Sequence, residues 1–327
     1  LESADITSPP VTSPNFIAAA EGSKSDTFVE AIASVVDERR VMFTRAGVES
    51  RAIEEGNALL SVVQAEPGFF DTYREVDGFP MEPVGLVIDR LTDYYDLWLK
   101  NQSLTVTFDS DTRFMGLTHP HFSVKMATID PDAVRREPTI PDQLDLSAEA
   151  EVGQSELARA IRSLSAEGSG DTTKEVGVVA TSDSGSNSGV YLTDETGKRV
   201  SVGKRIQGNA LGIYSGDYIR AVGQTLIESS SLPATLRLGN DFPLAVAASN
   251  SNGTLTHTTI TAPRAKGSKQ EALDSAPIAD GMDGSGVDLS FYTDNTGDAD
   301  VGLFENISEE SPAERARKER FQSYPVT

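Results

Sequence analysis

Two short stretches of the chain carry residues that could bind a metal ion. His119 and His121 form the run HPH at 119–121, but the proline between them fits a turn between two strand-like segments better, and no third ligand is apparent. Both histidines are therefore predicted to lie on the surface. The run DNTGDADVGLFE at 294–305 is close to the spacing of a calcium loop, but it has Ala299 in place of the central glycine and lacks clear flanking helices. A disordered acidic tail is the better interpretation there, and no cofactor is expected.

Catalytic nucleophiles are equally poorly supported. The chain has no cysteine, which excludes disulfides, thiolate metal sites and a cysteine nucleophile. The run GSNSG at 185–189 is not a nucleophile elbow, because Asn187 occupies its centre. The run SVGK at 201–204 has a Ser-x-x-Lys spacing without a supporting motif, and a loop is predicted there. We therefore expect a protein that is not an enzyme.

The composition predicts a strongly acidic surface. The chain has 327 residues, with 50 Asp and Glu against 28 Lys and Arg and a formal net charge of −22. This length allows two ordinary domains. An acid-rich, lysine-poor composition is typical of proteins that stay soluble in concentrated salt, and an acidic binding surface is the alternative. No apolar run approaches the roughly 20 residues of a membrane span. A high-salt cytoplasm is therefore the expected location, with no membrane partner.

Apolar residues at helical spacing predict the elements that carry the core. A capping box at Thr27 and Glu30 predicts a helix that begins there. A short helix is predicted after Pro67, from Phe69, Phe70 and Tyr73. The remaining apolar faces are Phe28, Ile32, Val35 and Val36 of the first helix; Ile88, Leu91, Tyr95 and Trp98; Leu157, Ile161 and Leu164; and Ile219, Val222 and Leu226.

Two blocks of the sequence look alike, which predicts an internal duplication. SLTVTFDSDTRFMGL followed by FSVKMATIDP resembles ATLRLGNDFPLAVAA followed by LTHTTITAP, with 105–108 aligned to 235–238. Each block follows a helical segment, at 88–100 and 216–226, and each alternates with period two. The sequence thus predicts two similar α+β domains with helices on one face of antiparallel sheets. The proline-rich stretch TIDPDAVRREPTIPDQLDL at 128–146 connects them.

Six motifs, in order, resemble archaeal sliding clamps of the proliferating cell nuclear antigen (PCNA) type. They are SRAIEEGNALLSVV (50–63), IDPDAVRREPTIPDQLDL (129–146), ARAIRSLS (158–165), GIYSGDYIRAV (212–222), LGNDFPLAVAA (238–248) and TITAPRA (260–266). The resemblance implies the DNA-clamp fold in a homotrimeric ring, with sheets outside and helices around a channel for double-stranded DNA. The expected divisions are an N-terminal tail (1–14), clamp domain 1 (15–127), the interdomain connecting loop (128–146), clamp domain 2 (147–266), and an acidic C-terminal tail (267–327) with a short basic helix near 312–321.

The resemblance also implies a pocket that captures clamp-binding peptides of replication proteins. The positions that match this pocket are Ile53, Ala58, Pro138, Ile140, Pro243, Ala262 and Pro263. A small apolar hollow beside a proline-rich loop suits a peptide with aromatic anchors.

The helix faces that would line the channel are more acidic than duplex DNA requires. The expected DNA-facing residues are Arg159, Arg162, Lys100 and Arg220, the last to one side. Six acidic residues share these faces: Glu30, Asp37, Asp89, Asp93, Asp96 and Asp217. Screening in molar salt weakens the resulting repulsion, because the Debye length falls to about 3 Å.

Two functions are consistent with these observations. The first is a processivity clamp that tethers replication proteins to DNA. The alternative is a clamp-fold trimer reused as a structural component, for example in a halophilic virus particle, with viral structural proteins bound through the tails. In either ring, edge strands near 121–129 and 189–193 are expected to pair between subunits, because an open edge favours association.

Overall fold

The computed structural model describes residues 16–75, 83–97, 102–136, 146–165, 174–182, 188–194, 197–203, 205–240 and 242–264. The first half of this structure contains β1 (Phe16–Ala20), α1 (Ser23–Ala33), β2 (Glu38–Thr44), β3 (Gly47–Ile53), β4 (Leu59–Ala65), β5 (Thr72–Glu75), β6 (Val84–Val87), α2 (Ile88–Asp96), β7 (Leu104–Asp109), β8 (Phe114–His119) and β9 (Phe122–Ala127). The second half contains β10 (Ala148–Gly153), α3 (Gln154–Ser165), β11 (Glu175–Thr181), β12 (Gly189–Asp194), β13 (Arg199–Gly203), β14 (Arg205–Gln207), β15 (Ala210–Ser215), α4 (Gly216–Gln224), β16 (Pro233–Leu238), β17 (Leu244–Ser249) and β18 (Leu255–Thr261).

The two halves repeat the same order of elements and the same strand pairings. β1 pairs with β5 and β7, and its counterpart β10 pairs with β14 and β16. The chain β6-β2-β3-β4 recurs as β15-β11-β12-β13, and β7-β8-β9 recurs as β16-β17-β18. Each strand of the first half thus corresponds to the strand nine places later. This repeat confirms the predicted similarity of the two blocks and extends it to almost every described element.

One pairing joins the halves into a continuous sheet. β18 pairs antiparallel with β4, from Leu255 opposite Ala65 to Thr261 opposite Leu59. The result is a nine-stranded sheet in the order β14-β10-β16-β17-β18-β4-β3-β2-β6, beside a five-stranded sheet β5-β1-β7-β8-β9 and a four-stranded sheet β13-β12-β11-β15. The counterparts of the joined strands, β9 and β13, lie at the edges of the two smaller sheets.

Each half has its own apolar core, and the joining strands each contribute to the core of the other half. Leu255 of β18 is buried in the first core, and Leu59 of β4 is buried in the second. α1 contacts α2 and α3 contacts α4. Burial of these apolar side chains is the main favourable term in folding, so the β4–β18 junction is held by side-chain packing as well as by its backbone ladder.

Three expectations about helices are settled by the structure. The faces of α2, α3 and α4 are confirmed at Leu91, Ile161 and Ile219, all buried. The capping box is wrong, because α1 begins at Ser23 and the Thr27 hydroxyl donates to the Ser23 carbonyl 2.8 Å away, one turn back within the helix. The helix after Pro67 is also wrong.

The segment after Pro67 instead forms one 3₁₀ turn, Pro67–Phe69, and then enters β5. Its aromatic residues serve the core from a turn: the ring of Phe70 meets that of Phe28 edge-on, with centroids 5.3 Å apart. Aromatic side chains reach a core from either kind of element, which is why their spacing misled the prediction.

Three further expectations need correction. The strand at 189–193 is not an edge, because β12 lies between β11 and β13, and the edge is β13. His119 is buried rather than on the surface; its ring stacks on Phe122 with centroids 5.2 Å apart. Residues 201–203 of the expected loop belong to β13 instead. Pro120 and His121 do form the predicted turn, between β8 and β9.

Candidate functional site

The predicted pocket residues that the structure describes gather at one end of the nine-stranded sheet. Ile53 ends β3, Ala58 precedes β4, and Pro243 precedes β17. Ala262 follows β18, and its amide donates to the Ala58 carbonyl at 2.7 Å. Because neighbouring strands are antiparallel, strand ends and strand starts meet at the same edge, and Pro263 continues from there. Pro138, Ile140 and Lys100 lie outside the described residues.

A row of apolar side chains lies beside these residues, on the sheet face away from the cores. Ile53, Leu60 and Ile260 form a separate small cluster, and Ala245 packs against it. These residues are cross-strand neighbours, with Ile53 opposite Leu60, Leu60 opposite Ile260, and Ile260 opposite Ala245. The sequence analysis missed Leu60, Ile260 and Ala245. These residues could have been predicted from the period-two alternation of the strands, because the face that points away from the core also carries apolar side chains.

The β3–β4 loop beside the pocket is held from two sides. The Arg135 guanidinium, at the start of the connector, donates to the Glu55 carbonyl at 2.6 Å. The Tyr218 hydroxyl of α4 donates to the Glu54 carboxylate at 3.2 Å. Partial burial and the nearby Glu54 carboxylate raise the pKa of Tyr218, so its hydroxyl keeps the proton that it donates. The pocket loop is therefore tied both to the connector and to a helix of the second half.

On the helical side, the two predicted arginines of α3 differ in their partners. Both side chains are exposed. Arg162 makes a two-pronged ion pair with Glu228, at 2.5 and 2.9 Å. That hydrogen bond holds the pKa of the Glu228 carboxyl below its usual range. Arg159 donates instead to the Ser155 carbonyl of its own helix. Arg159 is therefore the more available of the two for an external anion.

The other helices add one cation that the sequence analysis missed. Arg220 of α4 is paired with Asp217 one turn earlier. Arg90 of α2 is exposed, and at 100° per residue it falls on the side of the helix opposite Ile88 and Leu91. The same angle could have identified Arg90 from the sequence, where Asp89 and Asp93 were assigned to the channel face of this helix.

Metal binding has no support in the described residues. Within them, no three His, Asp or Glu side chains are arranged to hold a metal ion. The acidic run at 294–305 and the predicted basic helix near 312–321 lie outside the described residues. No helix in the described part of the chain is long and apolar enough to cross a membrane.

Comparison with known proteins gives a consistent set of relatives. The chain is 26% identical over 222 residues to a DNA polymerase sliding clamp of Natronomonas pharaonis, covering 66% of this chain and 85% of the relative. It is 28% identical over 240 residues to that of Methanococcoides burtonii and 24% identical over 248 residues to that of Haloarcula marismortui, each covering 72% of this chain and 93% of the relative. The chain is a homologue of archaeal PCNA-type sliding clamps. No family model matches it.

Solved structures show that this clamp homologue has the DNA-clamp fold. The PCNA of A. fulgidus, solved with the C-terminal region of FEN-1 bound, superposes with a TM-score of 0.61 at 22% identity, covering 77% of this chain and 99% of that one. The PCNA of Entamoeba histolytica gives a TM-score of 0.62 at 14% identity, covering 77% of this chain and all of the other. The α+β fold expected from the sequence is thereby confirmed.

Proposed function

We propose that the chain is a sliding clamp: three copies close into a ring around double-stranded DNA and tether replication proteins to it. The observation that carries this proposal is the β4–β18 junction. Its counterpart by the internal repeat is a junction between β13 and β9, and both of these strands are sheet edges. One chain cannot complete that second junction with the geometry of the first, but a neighbouring copy can. Repetition of both junctions gives a series of similar domains that can close into a ring, and the resemblance to sliding clamps sets the number of copies at three.

The edge strands have the character that such a contact needs. On β9, Phe122 and Val124 are only half-buried, and on β13 so is Val200. Apolar residues on an open strand favour pairing with another chain, and two further strands of backbone would gain partners. The homologous clamps support a ring, and a high-salt cytoplasm agrees with the net charge of −22. Nothing in the comparisons favours the alternative of a virion component.

For the outer pocket, we propose that it binds short peptides of replication proteins. The support is an apolar floor beside an anchored loop, together with the A. fulgidus PCNA structure that contains a FEN-1 peptide segment. The clamp itself then performs no catalysis and serves as a platform. Fluorescence anisotropy with a peptide carrying a glutamine and paired aromatics measures this binding, and no binding up to millimolar clamp would contradict it.

DNA topology tests the proposed function directly. A ring loaded by the matching clamp loader should stay on nicked circular DNA through gel filtration in molar salt, because it cannot slide off a closed path. Cutting the same circle once should release it. Equal retention on circular and cut DNA would indicate ordinary surface binding, and light scattering that shows only monomers at micromolar concentration would exclude the ring.

A further inference from the structure

The internal repeat allows the two junctions to be compared residue by residue. A backbone bridge pairs Gly85 of β6 with Ile129, and at the matching place in the second half the Arg264 amide donates to the Ile213 carbonyl. With these bonds and the strand registers aligned, His257 of β18 corresponds to Phe122 of β9. By the same alignment, Ser61 of β4 corresponds to Lys198 beside β13.

The junction within the chain contains a buried line of polar groups. Arg39 of β2 is fully buried and donates to the Ser61 hydroxyl at 2.7 Å. Ser61 lies 2.7 Å from Nε2 of His257, which is 1% exposed. The Ser61 hydroxyl and Nε2 share a hydrogen bond whose donor depends on the histidine tautomer, and burial together with the Arg39 charge keeps the imidazole neutral. Arg39 also donates to the Ser34 carbonyl, so the line runs from α1 through β4 to β18.

The matching positions of the other junction are mostly apolar. Arg39 corresponds to Val176, which is buried, and His257 corresponds to Phe122. Ser61 corresponds to Lys198, whose ammonium is already used on the Ser163 carbonyl at 2.7 Å. On β18 the buried face reads His257, Thr259 and Thr261, whereas on β9 the same face reads Phe122, Val124 and Met126. The strands that would form the second junction match β4 and β18 in order and register, but their side-chain chemistry differs.

We propose that the Arg39–Ser61–His257 line is a partner code: it reserves the β4 edge for the chain's own β18 and leaves β9 to pair only with β13 of another copy. This inference rests on the proposed ring. If β9 took the place of β18, Phe122 would stand where His257 stands. The Ser61 hydroxyl would then lose its imidazole partner beside a buried guanidinium, and a buried polar group that loses a hydrogen bond is costly. If β18 took the place of β9, His257 would be buried against Val200 without its serine.

This discrimination matters because β9 and β18 match in register, so the backbone alone would let either strand pair with β4. At micromolar concentration, every assembling copy presents a β9 that fits the backbone of β4. Attachment through the chain already gives β18 a high local concentration, so the contribution of the polar line is the further discrimination that persists when copies are crowded.

Cysteine cross-linking measures this discrimination, since the chain has no cysteine of its own. In β4–β18 register Thr258 lies opposite Val62. By the same alignment, the correct junction places Ser123 opposite Arg199, and the wrong one places it opposite Val62. Ser123→Cys with Arg199→Cys reports the correct pairing between copies, and Ser123→Cys with Val62→Cys reports the wrong one, while Phe122 and the polar line stay unchanged. Each pair is refolded in molar salt, oxidised and resolved on a denaturing gel.

With the polar line intact, the 123–199 pair should give linked dimers and trimers and the 123–62 pair almost none. His257→Phe, which gives β18 the residue of β9, should raise the 123–62 product by roughly tenfold relative to 123–199. His257→Gln keeps a polar side chain and should restore the ratio if His257→Phe misfolds or mispairs. Thr258→Phe, on the opposite face of β18, is the matched control and should change nothing.

The outcomes separate the inference from the function on which it rests. Absence of 123–199 links in a folded protein would overturn the proposed ring. Formation of 123–199 links together with equal 123–62 links in the unaltered background would overturn the partner code alone. So would a folded His257→Phe variant whose ratio matches that of the Thr258→Phe control.

Discussion

His257 is a buried imidazole whose charge state should set part of the pH dependence of stability. Burial, and secondarily the nearby Arg39 charge, lower its pKa to about 3 from an ordinary value near 6.5. The unfolded chain therefore binds a proton between these two values that the folded chain does not. The stability that depends on keeping this imidazole neutral is fully present above about pH 6.5 and is lost as the pH falls toward 3.

The first prediction follows from that difference in proton binding. Between pH 6 and pH 4.5 this residue should cost the folded state about 2 kcal/mol, at about 1.4 kcal/mol per pH unit. Urea unfolding in constant salt, compared with His257→Gln, measures it, because the carboxylates are common to both proteins. A difference between the two proteins that does not change with pH would contradict the assignment.

Glu228 forms an ion pair with Arg162, whose positive charge would otherwise be available to DNA in the proposed function. Its carboxylate holds Arg162 from two sides on an exposed helix face. Glu228→Gln should release that guanidinium and steepen the dependence of DNA affinity on salt by up to about 0.9 in log–log slope per added phosphate contact. The measurement is the equilibrium affinity of the protein for linear duplex DNA from low to molar KCl, because a ring on a closed circle is held by topology at any salt.

Glu156→Gln on the same helix provides the matched control for this second prediction. Glu156 is exposed, its replacement removes the same charge, and within the described residues no hydrogen bond joins it to an arginine. If both variants gave the same slope, net charge rather than the release of Arg162 would govern the affinity for DNA.

Motifs with a fixed spacing led to Arg162, which lies on an exposed helix face, and to Ile53, which lies in the outer cluster. The contacts with DNA and with a peptide that were expected of these two residues stay predictions. The polar line through Arg39 and His257 could not be predicted, because its members are 218 positions apart (257 minus 39) and meet only through the β4–β18 pairing. Each of them alone looks like an ordinary polar strand residue.

At the scale of elements, the repeat depends on two equivalent glycines that begin β3 and β12. Gly47 has φ +126°, and a Cβ there would lie 2.1 Å from the Ala65 carbonyl oxygen; Gly189 has φ +148°, and its Cβ would lie 2.5 Å from the Gly203 carbonyl oxygen. Both carbonyls belong to the strand paired with the one that the glycine begins. The positive φ and the close approach of backbone exclude a side chain at both positions.

The third prediction is that Gly47→Ala destabilises the fold by at least about 2 kcal/mol, through an unfavourable backbone conformation and the clash with β4. Thermal or urea unfolding measures the loss. Gly68→Ala is the control, because its φ is unstrained and its Cβ would meet only the Thr254 methyl at 3.8 Å. Equal stability of the two variants would mean that β3 can shift away from β4 at little cost.

Element types were predictable where a face was long and periodic, and less so where a local signal competed with the fold. The α3 face at Leu157, Ile161 and Leu164 is confirmed. The Thr27–Glu30 capping box failed because the helix gains a whole turn by starting at Ser23, beyond Gly22 at φ +57°. A capping motif favours a helix start only through the local interactions of a few residues, whereas packing of Phe28 and Ile32 against the sheet fixes where the helix lies.

For the whole molecule, the duplication explains both stability and assembly. A subunit with two equivalent halves has one junction closed inside the chain and one left open at β9 and β13. In the proposed ring, other copies would cover those open edges, which otherwise favour uncontrolled strand pairing. The repeat that builds the nine-stranded sheet would then also specify how copies meet.

The last prediction concerns the net charge of −22, which must be screened for this assembly to form. At 0.1 M salt the Debye length is about 10 Å, so like charges repel across a subunit contact; at 1 M it is about 3 Å, and the repulsion is confined to close neighbours. We expect both the urea midpoint and the trimer fraction to rise from 0.1 to 2 M KCl. Replacing the exposed Asp93 and Glu55 by lysine changes the net charge from −22 to −18, two units at each site. That variant should form trimers at lower salt, as measured by light scattering. An unchanged salt requirement would show that salt acts by strengthening apolar burial rather than by screening the acidic surface.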